Sequence, residues 1–252
     1  MKDIAWLTAR PIAHRGFHAA ASGRIENSMS AFAAAKARGF NIELDVHLSD
    51  DGVVYVFHDD VLDRLTEGHG PVAGKTYAEL KSIAMKGTAD RMPTLADVLA
   101  LVDGKVGLVV EIKSSFAERQ REIVAATARV LSGYGGPVVV KSFDPRQIAD
   151  LAEIAPELPR GIVADDCSTP EDYNDFRFVP KDLLTSLDHH ATTKLDFVSY
   201  WVKLLPNAVS AKVRQDWKLP LISWTVRNAD DRATVAAHAD QMIFEGFDPE
   251  AV

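Results

Sequence analysis

The sequence predicts a TIM (β/α)8 barrel. Eight short apolar runs begin near residues 12, 41, 107, 137, 160, 197, 221 and 241, and helical segments alternate with them. Several runs are apolar on both faces, as strands covered by helices must be. Eight strand–helix units in 252 residues is the size of such a barrel. An open doubly wound sheet uses the same alternation, but no glycine fingerprint follows the first strand here.

The first strand, residues 11–16, ends in the polar turn His14-Arg15-Gly16. Asn27 or Ser28 caps a helix through about Lys36, which ends near Gly39. Residues 40–47 alternate with period two, so Ile42, Leu44 and Val46 face one way and Glu43 and Asp45 the other. Asp50-Asp51-Gly52 is a hairpin turn, and residues 53–57 return to end at His58-Asp59. Residues 60–92 break the rhythm with five Gly and Pro positions (68, 70, 71, 74 and 87) around one short helical piece at 77–84. This is a small insertion after the second strand pair. Thr94 then caps a helix through Val102. Strands at 107–113, 137–143, 160–164, 197–200, 221–226 and 241–245 alternate with helices at 117–131, 145–154, 207–216 and 229–239. Residues 165–195 are irregular, with some helix near 181–187. The last outer helix is short or missing, and residues 4–7 are expected to cover part of that gap. The chain 1–252 reads as a single barrel domain carrying the inserted segment at about 60–92.

A formal charge of −8 argues against general affinity for nucleic acid or anionic lipid, while leaving room for a local basic pocket. The one cysteine, Cys167, excludes an internal disulfide and fits a reducing compartment. It follows Asp165 and Asp166, which disfavour a thiolate, so it reads as inert. No export signal opens the chain, and no window approaches the roughly 20 apolar residues of a membrane span. The expectation is a cytoplasmic protein without stable membrane association.

Glu43 and Asp45 side by side in a buried strand repel each other and lose hydration, so a cation must lie between them. Glu111 and Lys113 end the next strand and share one face. Three carboxylates, Glu43, Asp45 and Glu111, make a hard oxygen site suited to Mg²⁺ or Ca²⁺, with Mn²⁺ a further option. His14 and His58, at the same barrel end, are candidates for general base and general acid. Arg15 and Lys113 can neutralise a phosphate. Structural readings stand beside these. Arg15 and Lys113 could instead balance the acids in an ion-pair cluster, Glu111 and Lys113 could form a same-face salt bridge, and Trp224 could be core. Glu26-Asn27 could serve only as a helix cap. His47 lies past the cavity, and His18, His69, His189, His190 and His238 read as solvated.

The ordered set of motifs is more specific than any one of them. It runs His14-Arg15-Gly16, Glu26-Asn27-Ser28, Glu43-x-Asp45, His58-Asp59, Met92-Pro93-Thr94-Leu95, Glu111-x-Lys113, Ser142-Phe143 and Trp224-Thr225-Val226. From about Ile12 to Phe247 the chain resembles the glycerophosphodiester phosphodiesterase family. The resemblance implies hydrolysis of small glycerophosphodiesters to glycerol 3-phosphate and an alcohol. It assigns Glu43, Asp45 and Glu111 to a divalent cation, His14 and His58 to acid–base work, and Arg15 and Lys113 to the phosphate. Glu26 and Asn27 would shape the first loop, and Phe143 and Trp224 would wall the glycerol side. Two positions depart from the family pattern: Arg227, where Asn is usual, and Phe244-Glu245, where Thr-Asp is usual. Lysophospholipase D or sphingomyelinase D-like cleavage, and a non-catalytic phospho-ligand binding module, are the alternatives.

Overall fold

The structure, a computed structural model, describes residues 2–168 and 179–251. Its strands are β1 (Ile12–Ala13), β2 (Asn41–Leu48), β3 (Val54–Val56), β4 (Leu108–Ile112), β5 (Val138–Ser142), β6 (Arg160–Ala164), β7 (Phe197–Trp201), β8 (Leu221–Val226) and β9 (Gln241–Phe244). Parallel pairing runs around all of them except β3, and β1 joins both β2 and β9, so eight strands close into a barrel. Outside the ring, β3 pairs antiparallel with β2, as the Asp-Gly hairpin signal predicts.

The helices are α1 (Trp6–Ala9), α2 (Met29–Ala37), α3 (Tyr77–Ser82), α4 (Leu95–Val102), α5 (Arg121–Leu131), α6 (Pro145–Ile154), α7 (Lys181–Ser186), α8 (His190–Thr193), α9 (Ala208–Ala211) and α10 (Ala229–His238). Local chemistry starts several of them. Ser28 rather than Asn27 caps α2, Thr94 and Asp97 form a capping box on α4, and Asp144 caps α6 with Pro145 in its first turn. The start of α5 is four residues later than expected. Its predicted first turn is spent on loop contacts: Gln120 accepts from the Ser115 amide, and Arg119 reaches across to Asp150 on α6. Past α9 the chain widens into a π-helical turn at Lys212–Asp216. Residues 169–178 of the irregular stretch lie outside the described residues. Among the described residues no helix follows β9, and none is long and apolar enough to cross a membrane.

Alternation along each strand divides the core in two. Val110, Val140 and Leu44 pack outward with helical Phe32, Leu95, Ile148 and Leu151. Ile12, Val109, Val139, Phe197, Ile222 and Ile243 point into the barrel and pack with Ile4 and Leu7. The N-terminal segment therefore plugs the barrel floor rather than covering the outer gap, because inward apolar side chains from six strands need a lid there. Gly161 leaves room for that filling: a Cβ on it would lie 2.5 Å from the Phe197 ring. The insert builds its own small core from Leu62, Leu65, Val72, Leu80 and Met92 against Tyr55 and Phe57. His189 is buried rather than solvated, bonded to Thr193 one helical turn on.

Candidate active site

Strand register gathers the acids. Asp45 on β2 lies opposite Glu111 on β4, and Glu111 lies opposite Lys141 on β5, all facing inward at the C-terminal ends of their strands. Glu43 sits two residues below Asp45 on the same face. Carboxylate oxygens of Glu43, Asp45 and Glu111 come within 4.8 Å of one another, and all three residues are buried.

Each acid also has a cationic neighbour. Lys141 Nζ lies 2.9 Å from Glu43 Oε1 and 2.8 Å from Glu111 Oε2. Lys113 Nζ lies 3.1 Å from Glu111 and 3.8 Å from Asp45, and Arg15 Nε lies 3.4 Å from Asp45. Burial opposes ionisation of Glu111, but Lys141 and then Lys113 outweigh it and hold its carboxyl down to about 2. Burial likewise opposes ionisation of Asp45. The positive field of His58, Lys113 and Arg15, with a hydrogen bond from Asn27, drives it well below the usual carboxylate range. Lys141 escaped the sequence reading. Its signal is a lone charge two residues after Val139, at the end of an otherwise apolar strand.

The turn after β1 aims the first pair of groups. Arg15 has φ 54° and Gly16 φ 83°, a left-handed stretch costly for the arginine but easy for the glycine. A Cβ on Gly16 would come within 3.0 Å of Ala31 and Phe32 as well. In this turn the Arg15 amide donates to Glu43 Oε2 at 3.1 Å. His14 Nε2 lies 4.0 Å from the same oxygen, while Glu245 Oε2 accepts from His14 Nδ1 at 2.8 Å. Asn27, itself at φ 55°, donates to Asp45 Oδ2 at 2.8 Å. Glu26 accepts from Arg15 at 2.6 Å.

On the other wall, Asp59 Oδ1 accepts from His58 Nδ1 at 2.8 Å. Arg64, from the insert, donates in bidentate fashion to both Asp59 and Glu26 at 2.7–2.8 Å. Thus each imidazole is oriented through Nδ1 by a carboxylate. The sequence does not mark Glu245 and Arg64 as site residues, because the contacts of Glu245 with His14 and of Arg64 with Glu26 are distant in the chain. His47 bonds the His58 carbonyl at 3.2 Å and stacks on Tyr55, supporting the end of the hairpin.

His14, Arg15, Asp45, His58, Glu111, Lys113 and Lys141 line one cavity of about 140 Å³. Phe143 and Trp224, with ring centroids 5.5 Å apart and nearly perpendicular, form its apolar wall with Val163. Glu43 lies beneath the cavity, and Glu26 and Asn27 buttress its rim, so all eleven residues named from sequence converge on one barrel mouth. The clustered carboxylates offer hard oxygen donors to a divalent cation. The paired imidazoles offer proton transfer beside it.

A closed barrel with acids, imidazoles and cations at the C-terminal mouth of its strands belongs to the class of TIM-barrel enzymes that act on anionic substrates. More narrowly, residues 14–246 match the glycerophosphoryl diester phosphodiesterase family, and the chain belongs to that family. It is 28% identical over 256 aligned positions to a glycerophosphodiester phosphodiesterase of Caldanaerobacter subterraneus subsp. tengcongensis, covering 96% of this chain and 95% of that one. A glycerophosphodiester phosphodiesterase of Bacillus altitudinis is 39% identical over 108 residues, 40% of this chain and 43% of that one. The fold also matches an Oleispira antarctica phosphodiesterase solved with the product sn-glycerol-3-phosphate. There the TM-score is 0.75 at 22% identity, covering 92% of this chain and 91% of that one.

Proposed function

We propose that this chain hydrolyses glycerophosphodiesters to glycerol 3-phosphate and an alcohol, using a divalent cation and two histidines. Its lone cysteine suits a reducing compartment such as the cytoplasm. The observation that carries the proposal is one small cavity onto which Asp45 and Glu111 of the acid cluster, both carboxylate-bound imidazoles and the three cations Arg15, Lys113 and Lys141 open. Glu43, Asp45 and Glu111 would hold Mg²⁺, Ca²⁺ or Mn²⁺, all of which favour oxygen donors. When bound, the cation supplies Lewis acidity to a phosphate oxygen and lowers the pKa of the attacking hydroxyl.

The chain's own residues do the rest. Arg15 and Lys113, already aimed into the cavity by their acidic partners, orient the phosphate and offset charge growing on its oxygens. His14, whose Nε2 is directed at the acid cluster, removes the nucleophile's proton, and Glu245 stabilises the imidazolium that results. His58, held by Asp59 on the opposite wall, protonates the leaving alkoxide. Phe143 and Trp224 pack against the glycerol carbons and exclude water from that side. The cavity is small and its apolar wall short, which favours a glycerophosphodiester over a long-chain lysolipid.

Glycerol 3-phosphate release from a panel of glycerophosphodiesters, with and without chelator, tests the proposal. Turnover is expected to vanish in chelator and to fall by about 10²–10⁴-fold in His14→Ala and Glu43→Ala. Full activity in either variant would remove the mechanism. Binding without turnover under every cation would make the chain a phospho-ligand binding module. Faster release of choline from lysophosphatidylcholine would favour the lysophospholipase D reading.

A further inference from the structure

The feature that the proposed chemistry leaves without a task is Lys141. Its side chain is 3% exposed, and its ammonium bridges Glu43 and Glu111, two of the three carboxylates that would hold a metal. A buried lysine is costly unless paired, and here it is paired twice. Counted with its neighbours, it completes a balance: Glu43, Asp45 and Glu111 face Lys141, Lys113 and Arg15. Further out, Arg64 is shared between Glu26 and Asp59, and Arg227 pairs with Glu245. Counting Arg15, which it shares with Glu26 at 2.6 Å, the inner cluster holds as many cations as carboxylates before any ligand arrives. A divalent cation entering it alone brings two uncompensated positive charges into a buried site. A phosphate entering alone meets cations already engaged by carboxylates. Entering together, the two ligands offset each other at close range, where the interior screens charge poorly.

Resting on the proposed function, we infer that Lys141 is a positioning residue that neutralises the acid cluster, so that metal and phosphate bind cooperatively and each binds weakly by itself. The ammonium and a cation would use different oxygens of the same carboxylates. Lys141 uses one oxygen of Glu43 and one of Glu111, leaving the second oxygen of each, and both oxygens of Asp45, turned to other partners.

Mn²⁺ titrations followed by calorimetry or electron paramagnetic resonance test this on the full chain. In the wild type, saturating sn-glycerol 3-phosphate is expected to tighten Mn²⁺ binding at least tenfold, and uncharged glycerol is expected not to. Linkage requires Mn²⁺ to tighten glycerol 3-phosphate by the same factor. Lys141→Met, which keeps the length and loses the charge, is expected to bind Mn²⁺ alone about tenfold tighter and to lose most of the coupling. Lys141→Gln gives the same reading should the methionine variant not fold, and Lys141→Arg should retain the coupling. Mn²⁺ affinity in the wild type unmoved by glycerol 3-phosphate would overturn the inference. So would neutral variants that fold and keep both the wild-type affinity and the wild-type coupling. If those titrations fail while the wild type still hydrolyses a glycerophosphodiester, the inference falls and the proposed function stands. If no diester is cleaved, the proposed function falls first.

Discussion

The two departures from the family pattern meet in space. Arg227 donates to Glu245 at 3.0 Å, and Glu245 in turn holds His14 Nδ1. The hydrogen bond from His14 foremost, with the charge and hydrogen bond of Arg227, outweighs the opposing effect of burial and holds that carboxylate well below the usual range. Glu245→Gln keeps the size but removes the charge, and steady-state kinetics is expected to show kcat reduced by roughly 10–100-fold with KM little changed. An unchanged kcat would mean that the carboxylate merely packs. Glu26 tests a different linkage. Burial opposes its ionisation, but hydrogen bonds from Arg64 and the charge of Arg15 prevail and lower its pKa to about 2 from an ordinary 4.5. Its ionised form therefore adds stability that is full above about pH 4.5 and fades as pH falls towards 2. The gap in urea stability between wild type and Glu26→Gln should be widest at pH 6 and narrow steadily below pH 4.5. A gap constant with pH would contradict that origin. The acids and histidines were legible because strand alternation and strand-end position advertise them. Arg64 and Glu245 were not, since their roles arise from contacts 38 and 231 residues away.

Elements carried most of their own instructions. The strand at Arg160–Ala164 and the helix at Pro145–Ile154 begin and end where turn chemistry, caps and apolar runs place them. The misplacements occur where a tertiary partner competes with a local signal, as when Arg119 and Arg121 turn to Asp150 and delay α5. The role of β6 depends on an absence of side chain that periodicity alone cannot interpret. Gly161 sits where the Phe197 ring fills the barrel axis, so Gly161→Ala forces the ring or the strand to shift. Chemical denaturation should register a loss of about 1–3 kcal/mol. A neutral result would mean that the interior has slack the packing does not suggest.

For the molecule as a whole, eight strand starts announced the barrel, but sequence pattern did not reveal which end the N-terminal segment closes. Leu7 shares one buried cluster with residues as distant as Ile243, and no local period encodes that. Leu7 is fully buried in this plug, so Leu7→Ala should cost about 2–5 kcal/mol in urea unfolding while leaving KM for substrate nearly unaltered. A large KM change would mean that floor and mouth are mechanically linked. The mouth is arranged differently, because Arg64 ties the insert to both the first loop and the partner of His58. An exchange of residues 60–92 between relatives would therefore transplant the aim of an imidazole along with a wall. A graft lacking arginine at that position would leave Asp59, and through it the His58 ring, without the guanidinium that holds them, so the aim of His58 hangs on one side chain of the insert.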